Sequence, residues 1–178
     1  MSQSASQNIP SSAYLPEKTQ NVINAFGKLG TDDKLALLYL VYQKMGDSVT
    51  PAAPTATDPE LAPLLLNDFY SLSPDKQLDA MRDIVNGADT EYSHAYGSLK
   101  ENNQLMVWFA WAQAMGQTVI GLPDGYNPTQ AVTGALSHIE DLDFEEQISL
   151  LREVASSMGY SNIKPIPTQA ETGKTASL

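Results

Sequence analysis

Apolar residues recur every three or four positions through most of the chain, as in amphipathic helices, and no segment sustains the alternation of a strand. The longest apolar run, LMVWFAWA at residues 105–112, contains both tryptophans. A helix that is apolar on every side belongs in a protein interior, so residues 102–115 are predicted to form the central helix. Asn102 or Asn103 is its expected N-cap, and the helix is expected to continue to about Val119. Its rings and Met115 either fill a core or line a cavity for a flat apolar ligand.

Seven further helices are predicted from the same periodicity, from N-cap residues and from breaks at Gly or Pro. They span residues 17–29, 31–46, 59–72, 74–85, 89–99, 129–139 and 143–158. Thr31 is the expected N-cap of the second of these helices, and Gly46 is its expected end. Residues 48–59 and 121–128 are predicted loops. The pattern predicts an all-α domain at residues 17–160, preceded by an arm at residues 1–16 and followed by a linker-like tail at residues 161–178.

The chain contains three similar segments. Residues 29–38, 72–81 and 142–151 align without gaps, and in each an apolar residue precedes a capped, acidic first turn. That order is typical of a hydrophobic staple, and Asp143 with Glu146 matches a capping box. The repetition indicates a duplicated fold of two small helical bundles, although good caps also recur by chance.

The composition narrows the classes of partner. A net charge of −11 disfavours nucleic acids and anionic membranes, because both require basic patches. The absence of cysteine excludes disulfides, thiolate nucleophiles and zinc–sulfur sites. The polar N-terminus lacks a secretory signal, and Gln104 and Gln113 interrupt the apolar run before it could span a bilayer. A cytoplasmic protein is expected.

Little in the sequence indicates catalysis. His94 and His138 are the only histidines, and neither has a second histidine or an acid at a convincing metal-ligand spacing. The acidic residues lie mainly in first helical turns, where helix dipoles account for them. No phosphate-binding loop, dinucleotide fingerprint or nucleophile elbow is present. The sequence therefore predicts neither an enzyme nor a metal site.

The aromatic residues and methionines are more informative. They come from separate predicted helices but share apolar faces, and spacing alone favours an ordinary core over a ligand tunnel. The residues concerned are Tyr39, Tyr42, Met81, Trp108, Phe109, Met115 and Tyr126. Arg152 lies on or beside the apolar face of the last helix. It either snorkels to solvent or stands at the mouth of a tunnel.

Several motifs together resemble one known family. They are DDKLALLYLVYQKMG at residues 32–46, QLDAMRD at 77–83, ADT at 88–90, VWF at 107–109, GY at 125–126 and QISLLR at 147–152. Over about residues 13–160, the chain resembles the helical carotenoid proteins. These are stand-alone homologues of the N-terminal domain of the cyanobacterial orange carotenoid protein.

The resemblance implies two interleaved four-helix bundles with a ketocarotenoid (canthaxanthin, echinenone or 3'-hydroxyechinenone) running between them. It also implies a tunnel lined by Leu35, Leu38, Tyr39, Tyr42, Met81, Leu105, Trp108, Phe109, Met115, Leu122, Pro123, Tyr126 and Ile148. Asn102 would lie near this tunnel and Arg152 at its exposed end. Burial of the apolar polyene would drive binding.

The chain also departs from the family pattern. Tyr39 and Phe109 stand where full-length photoactive members usually carry Trp and Tyr, and the loop before Tyr126 is one residue shorter. Because the chain stops where the family's linker begins, the resemblance leads us to expect no C-terminal regulatory domain, no photoswitch and a permanently red form.

The resemblance implies photoprotection by singlet oxygen quenching or by carotenoid carriage, with phycobilisome energy quenching as an additional role. The implied partners are the phycobilisome at the thylakoid surface and a separate C-terminal-domain homologue, and the expected state is a monomer or a weak dimer. The alternative is a colourless all-α adaptor that binds a partner helix in an aromatic groove.

Overall fold

The computed structural model describes residues 15–49 and 62–161. Residues 50–59 of the loop predicted at 48–59 lie outside these ranges, as do the predicted helix start at residue 59, most of the predicted arm and nearly all of the predicted tail. Residues 48 and 49 are helical, so the predicted start of that loop is wrong. All regular structure in the described ranges is helical, apart from one isolated bridge between Met115 and Val119. The predicted all-α class is confirmed.

Eight α-helices and one 3-10 helix follow one another in the described ranges. They are α1 (Glu17–Lys28), α2 (Thr31–Val49), α3 (Pro63–Leu66), the 3-10 helix (Asp68–Ser71), α4 (Pro74–Asn86), α5 (Glu91–Gly97), α6 (Glu101–Ala114), α7 (Gln130–Glu140) and α8 (Phe144–Ser156).

Local capping chemistry accounts for several helix starts. The side chains of Ser73, Thr90 and Thr129 each accept a hydrogen bond from the backbone amide three residues later. Asp143 and Glu146 form the predicted capping box, with N–H···O distances of 2.8 and 3.1 Å. These starts were predictable because each cap lies within a few residues of the groups that it satisfies.

The central helix α6 is shorter than predicted at its C-terminal end. It begins at Glu101 with Lys100 in the cap position, so neither Asn102 nor Asn103 is the N-cap. Met115 leaves the helical region (φ −61°, ψ 137°), and the amide of Gly116 donates to the Val119 carbonyl at 2.8 Å. The predicted continuation to Val119 is wrong, because Gly116 (φ 82°) allows the chain to turn back there.

The single helix predicted at residues 59–72 is also wrong over its described part. The chain breaks at Asn67 (φ −138°, ψ −66°) into α3 and the 3-10 helix. The Leu65 carbonyl accepts a hydrogen bond from the Trp111 indole at 2.9 Å, and the Phe69 ring stacks on that indole at 4.0 Å. Tertiary contacts with α6 therefore override the local helical preference.

Both predicted ends of α2 need correction. Thr31 is the first helical residue and not the cap, and its hydroxyl donates to Asn86 Oδ1 at 2.9 Å. The helix runs past Gly46 to Val49, with a kink at Met45 (φ −140°, ψ 20°). The side chain of Thr31 therefore joins α2 to the end of α4.

The helices pack as two groups of four. The first group contains α1, α2, α7 and α8, and the second contains α3, α4, α5 and α6. Helices α2 and α8 of the first group contact α6, and α2 also contacts α4. Because the second group lies between α2 and α7 in the sequence, the two groups are interleaved, as predicted. Helix α6 is central, with Trp108 and Trp111 buried.

Candidate functional site

Three adjoining cavities lie along the junction between the two helix groups. The first, of about 210 Å³, is enclosed by α2, α4 and the segment after α6. The second, of about 450 Å³, lies between α2 and that same segment. The third, of about 160 Å³, lies between α2 and α6. The first two share the walls Met115, Gly121, Leu122, Pro123 and Tyr126, and the last two share Tyr39 and Gln43.

Most of the predicted tunnel residues line this series. Leu35, Met81, Met115, Leu122, Pro123 and Tyr126 line the first cavity. Tyr39 lies between the second and the third, and Tyr42 and Phe109 line the third. Residues that are far apart in the sequence therefore meet along one series of cavities. The first cavity is mainly apolar, whereas the walls of the second include Gln43 and Asp124.

Other predicted residues lie outside these three cavities. Leu38 faces a small void among α1, α2, α7 and α8, because it projects from a different side of α2 than Leu35 and Tyr39 do. This position disagrees with its predicted place in the tunnel. Leu105 and Ile148 are buried in the core.

Trp108 is also a core residue and does not line the three cavities. Its indole nitrogen donates to the Tyr96 hydroxyl at 2.9 Å, and that hydroxyl donates to the Ala155 carbonyl at 2.7 Å. Trp108 thus connects α6 to α5 and, through Tyr96, to α8. Its ring meets Trp111 edge to face at 5.3 Å.

Tyr42 marks the end of the third cavity toward α6. Its ring meets Phe109 edge to face at 6.0 Å, and its hydroxyl donates to the Leu105 carbonyl at 3.2 Å. Burial raises the pKa of Tyr42 well above its ordinary value. The side chain is therefore a neutral, fixed wall at physiological pH.

Asn102 and Arg152 form a pair on the exposed surface. Arg152 Nε donates to Asn102 Oδ1 at 2.9 Å, which joins α8 to α6. The pair lies outside the three cavities, and both side chains are exposed. Their predicted role at the mouth of a tunnel stays a prediction.

A turn places Tyr126 beside the first two cavities. Gly125 has a φ of 73°, and the Tyr126 amide donates to the Pro123 carbonyl at 3.0 Å. Within the described part of the chain, the Tyr126 hydroxyl is a buried polar atom with no hydrogen-bond partner. Burial raises the pKa of Tyr126, as do the charges of Asp33 and Asp32, so the hydroxyl keeps its proton.

An ion pair that the sequence did not predict lies at the rim of the first cavity. Arg82 Nε and Nη2 donate to the two oxygens of Asp32 at 2.9 and 3.0 Å, and both residues line the cavity. The hydrogen bond from Arg82 holds the pKa of Asp32 below its usual range. Asp32 was assigned only to the helix dipole, and nothing in the spacing indicated a partner 50 residues away.

The second missed residue is Gln77, which is 2% exposed. Its side chain makes hydrogen bonds to Phe69, Thr118 and Ile120, and so connects α4 to the segment after α6. The sequence indicated this residue only by its position, because it is a polar side chain one turn before Met81 on the buried face of α4. Buried polar side chains of this kind usually satisfy specific partners.

A family comparison agrees with this geometry. The profile described as the N-terminal domain of the orange carotenoid protein matches residues 12–161. The chain belongs to this family. A protein of Nostoc sp. (strain PCC 7120) described as an orange carotenoid-binding domain-containing protein is 36% identical over 140 residues, which are 78% of this chain and 82% of that protein.

Solved structures of the family share the fold. The red carotenoid protein of Anabaena (Nostoc) sp. PCC 7120 binding canthaxanthin matches at 30% identity and a TM-score of 0.70, over 80% of this chain and 99% of that one. The Fremyella diplosiphon OCP1 matches at 30% identity and a TM-score of 0.75, over 90% of this chain and 51% of that one. The chain thus spans about half the length of this last relative.

Within residues 15–49 and 62–161, no group of three or more His, Cys, Asp or Glu side chains is arranged to hold a metal ion. In the same residues, no helix is both long enough and apolar enough to cross a membrane.

Proposed function

We propose that this member of the family binds a ketocarotenoid along the three cavities and serves in photoprotection. The observation that carries the proposal is the series of three adjoining cavities between the two helix groups, from Leu35 and Met81 at one end to Tyr42 and Phe109 at the other. A polyene is almost wholly apolar, so its burial is favourable by roughly 25 cal/mol per Å². The relative named as binding canthaxanthin supports this choice of ligand.

The shape of the path suits a long, narrow ligand. The cavities adjoin in series and share walls, among them Met115 and Tyr39. Methionine adapts to irregular shapes, because its side chain is unbranched and polarizable. Small side-chain movements at these shared walls would join the cavities into one tunnel.

The Tyr126 hydroxyl supports a ligand with an oxygen on its ring. It is a buried donor with no partner in the described residues, and leaving such a group unpaired costs about 1–3 kcal/mol. A keto oxygen is an acceptor that could pair with it, whereas an unsubstituted hydrocarbon ring could not. Canthaxanthin, echinenone and 3'-hydroxyechinenone all carry such an oxygen.

The residues would hold and shield the pigment. When bound, the polyene would accept excitation energy from singlet oxygen and release it as heat. Tyr42, Phe109 and Met81 would provide the apolar walls, and Arg152 on the exposed surface would be available to a phycobilisome or to a separate C-terminal-domain homologue. Carriage of the pigment between such partners is part of the same proposal, as is a cytoplasmic location near the thylakoid surface.

Purification from cells that make canthaxanthin tests the proposal. We expect a broad visible band that co-elutes with the protein in size exclusion and is shifted to longer wavelength than the free pigment. The same cells expressing an unrelated all-α protein are the control. A colourless product from pigment-containing cells would contradict carotenoid binding and favour a colourless adaptor.

A further inference from the structure

We propose that Gln77 is a positioning residue for the ligand cavity. Its amide fixes the segment of residues 115–123, here named the cavity loop, against α4 and so sets the width of the first cavity. The proposal rests on the proposed carotenoid site, but its geometric part concerns the pigment-free protein as well.

The hydrogen bonds of Gln77 reach the cavity loop from α4. Its Nε2 donates to the Thr118 carbonyl at 2.8 Å, and its Oε1 accepts from the Ile120 amide at 2.8 Å. The same Nε2 donates to the Phe69 carbonyl at 3.2 Å, next to the start of α4. The side chain therefore uses both its donor group and its acceptor on fixed backbone groups.

The loop's own hydrogen bonds close its turn without joining it to α4. The Gly116 amide donates to the Val119 carbonyl at 2.8 Å, and the Val119 amide donates to the Ala114 carbonyl at 3.1 Å. These bonds set the shape of the turn. Gln77 adds the contacts that fix the position of the turn relative to α4.

Both walls of the first cavity depend on this connection. One wall is formed by two residues of α4: Leu78, which follows Gln77 directly, and Met81, which lies one turn after it. Met115, Ile120 and Leu122 of the cavity loop form the facing wall. Because Gln77 holds Ile120 from the helix that bears Leu78 and Met81, its hydrogen bonds set the distance between the two walls.

An apolar residue of similar length would fill the space but could not replace these bonds. The Ile120 amide and the Thr118 carbonyl would then lack their partner on α4, and the cavity loop would move outward to pair them with water. The first cavity would widen, so a ring held between Met81 and Met115 would lose contacts on one side.

A matched control comes from Gln104, which is also a buried glutamine, at 3% exposure. Its Nε2 donates to the Tyr96 carbonyl at 3.1 Å, and it lines none of the three cavities. A merely structural role predicts that Gln77→Met and Gln104→Met affect the pigment equally. A positioning role predicts that only Gln77→Met does.

The experiment compares both variants with the full wild-type chain loaded with canthaxanthin. We expect Gln77→Met to raise Kd about tenfold, equivalent to about 1.4 kcal/mol, and to shift the visible absorption and circular dichroism bands. Gln104→Met should leave Kd and both spectra unchanged even where it lowers the melting temperature. Equal effects of the two variants, or a folded Gln77→Met with unchanged Kd and spectra, would overturn the proposal.

Two further measurements separate this proposal from the function on which it rests. If the wild-type protein binds no pigment, the proposed function fails, and hydrogen exchange of the Ile120 amide then tests Gln77 alone. We expect exchange at least tenfold faster in Gln77→Met than in Gln104→Met, and equal rates would overturn the positioning role.

If Gln77→Met does not fold, Gly121→Ala disturbs the same loop from its other side, because the added Cβ would lie 3.3 Å from the Gly116 nitrogen. A visible spectrum identical to that of the wild type would then contradict the link between the loop and the cavity.

Discussion

At the scale of single residues, the Tyr126 hydroxyl has opposite consequences for the empty and the loaded protein. Unpaired and buried, it opposes folding, whereas paired with a ligand oxygen it favours binding. Because burial raises the pKa of Tyr126, the group remains a donor at physiological pH. If the proposed function is correct, a tyrosine at this position would favour an oxygen-bearing carotenoid at some cost in stability to the empty protein.

Tyr126→Phe tests this interpretation. Without pigment, we expect the melting temperature of the variant to equal or exceed that of the wild type. With pigment, the preference for canthaxanthin over β-carotene should fall by up to about tenfold, since one hydrogen bond contributes about 0.5–1.5 kcal/mol. Titration of both pigments into both proteins measures the preference.

Tyr92→Phe is the matched control, because Tyr92 packs edge to face on Phe69 at 6.2 Å and lines none of the three cavities. The preference of Tyr92→Phe for canthaxanthin over β-carotene should equal that of the wild type. If Tyr126→Phe kept the wild-type preference for canthaxanthin over β-carotene, the Tyr126 hydroxyl would not be the hydrogen-bond donor to the keto oxygen.

At the scale of helices, the Asp32–Arg82 pair connects α2 and α4 across the rim of the first cavity. The side chains of Arg82 and Asp32 are 41% and 66% exposed, so the pair contributes little to stability and is weakened by salt. The pKa of Asp32 is lowered in the folded chain. The contribution of the ion pair to the free energy of unfolding is therefore fully present above the unfolded pKa of about 3.9, and it is lost as the pH falls through the pKa of the folded state.

Arg82→Gln should therefore lower the urea midpoint of unfolding at pH 7, and the difference from the wild type should shrink as the pH falls below about 3.9. Lys44→Gln is the control, because the Lys44–Glu140 pair at 3.4 Å lies away from this rim. Urea titrations of the three proteins across this pH range measure the effect. A difference that stays constant down to pH 2 would show that the ion pair is not its cause.

Helix starts that depend on capping residues close in sequence could be predicted. Helix breaks that depend on tertiary contacts could not. The Asp143 capping box lies within one turn of sequence and was predicted. The break at Asn67 depends on Trp111, 44 residues later, which supplies a donor to Leu65 and a ring to Phe69. The family resemblance assigned Leu35 and Tyr39 to a tunnel, and both line the cavities, whereas the partners of Gln77 lie on segments that only the fold brings together.

At the scale of the whole molecule, the candidate site lies between two helix groups, of which the second is inserted in the sequence between α2 and α7 of the first. Helix α2 belongs to one group and α4 and α6 to the other, and each of them contributes walls to the cavities. A ligand bound along this path would contact both groups at once. It would therefore stabilise their mutual packing as well as each local wall.

This arrangement predicts that pigment and fold are lost together on heating. A ligand that binds only the native state stabilises it by about 2.7 kcal/mol at a concentration of 100 times Kd. For a domain of this size, we expect the melting temperature to rise by about 5–10 °C. The visible band and the helical signal at 222 nm, recorded in one sample, should then disappear in a single coincident transition. A visible band that vanished well below the loss of helix would contradict this arrangement, because it would show that the pigment does not stabilise the packing of the two groups.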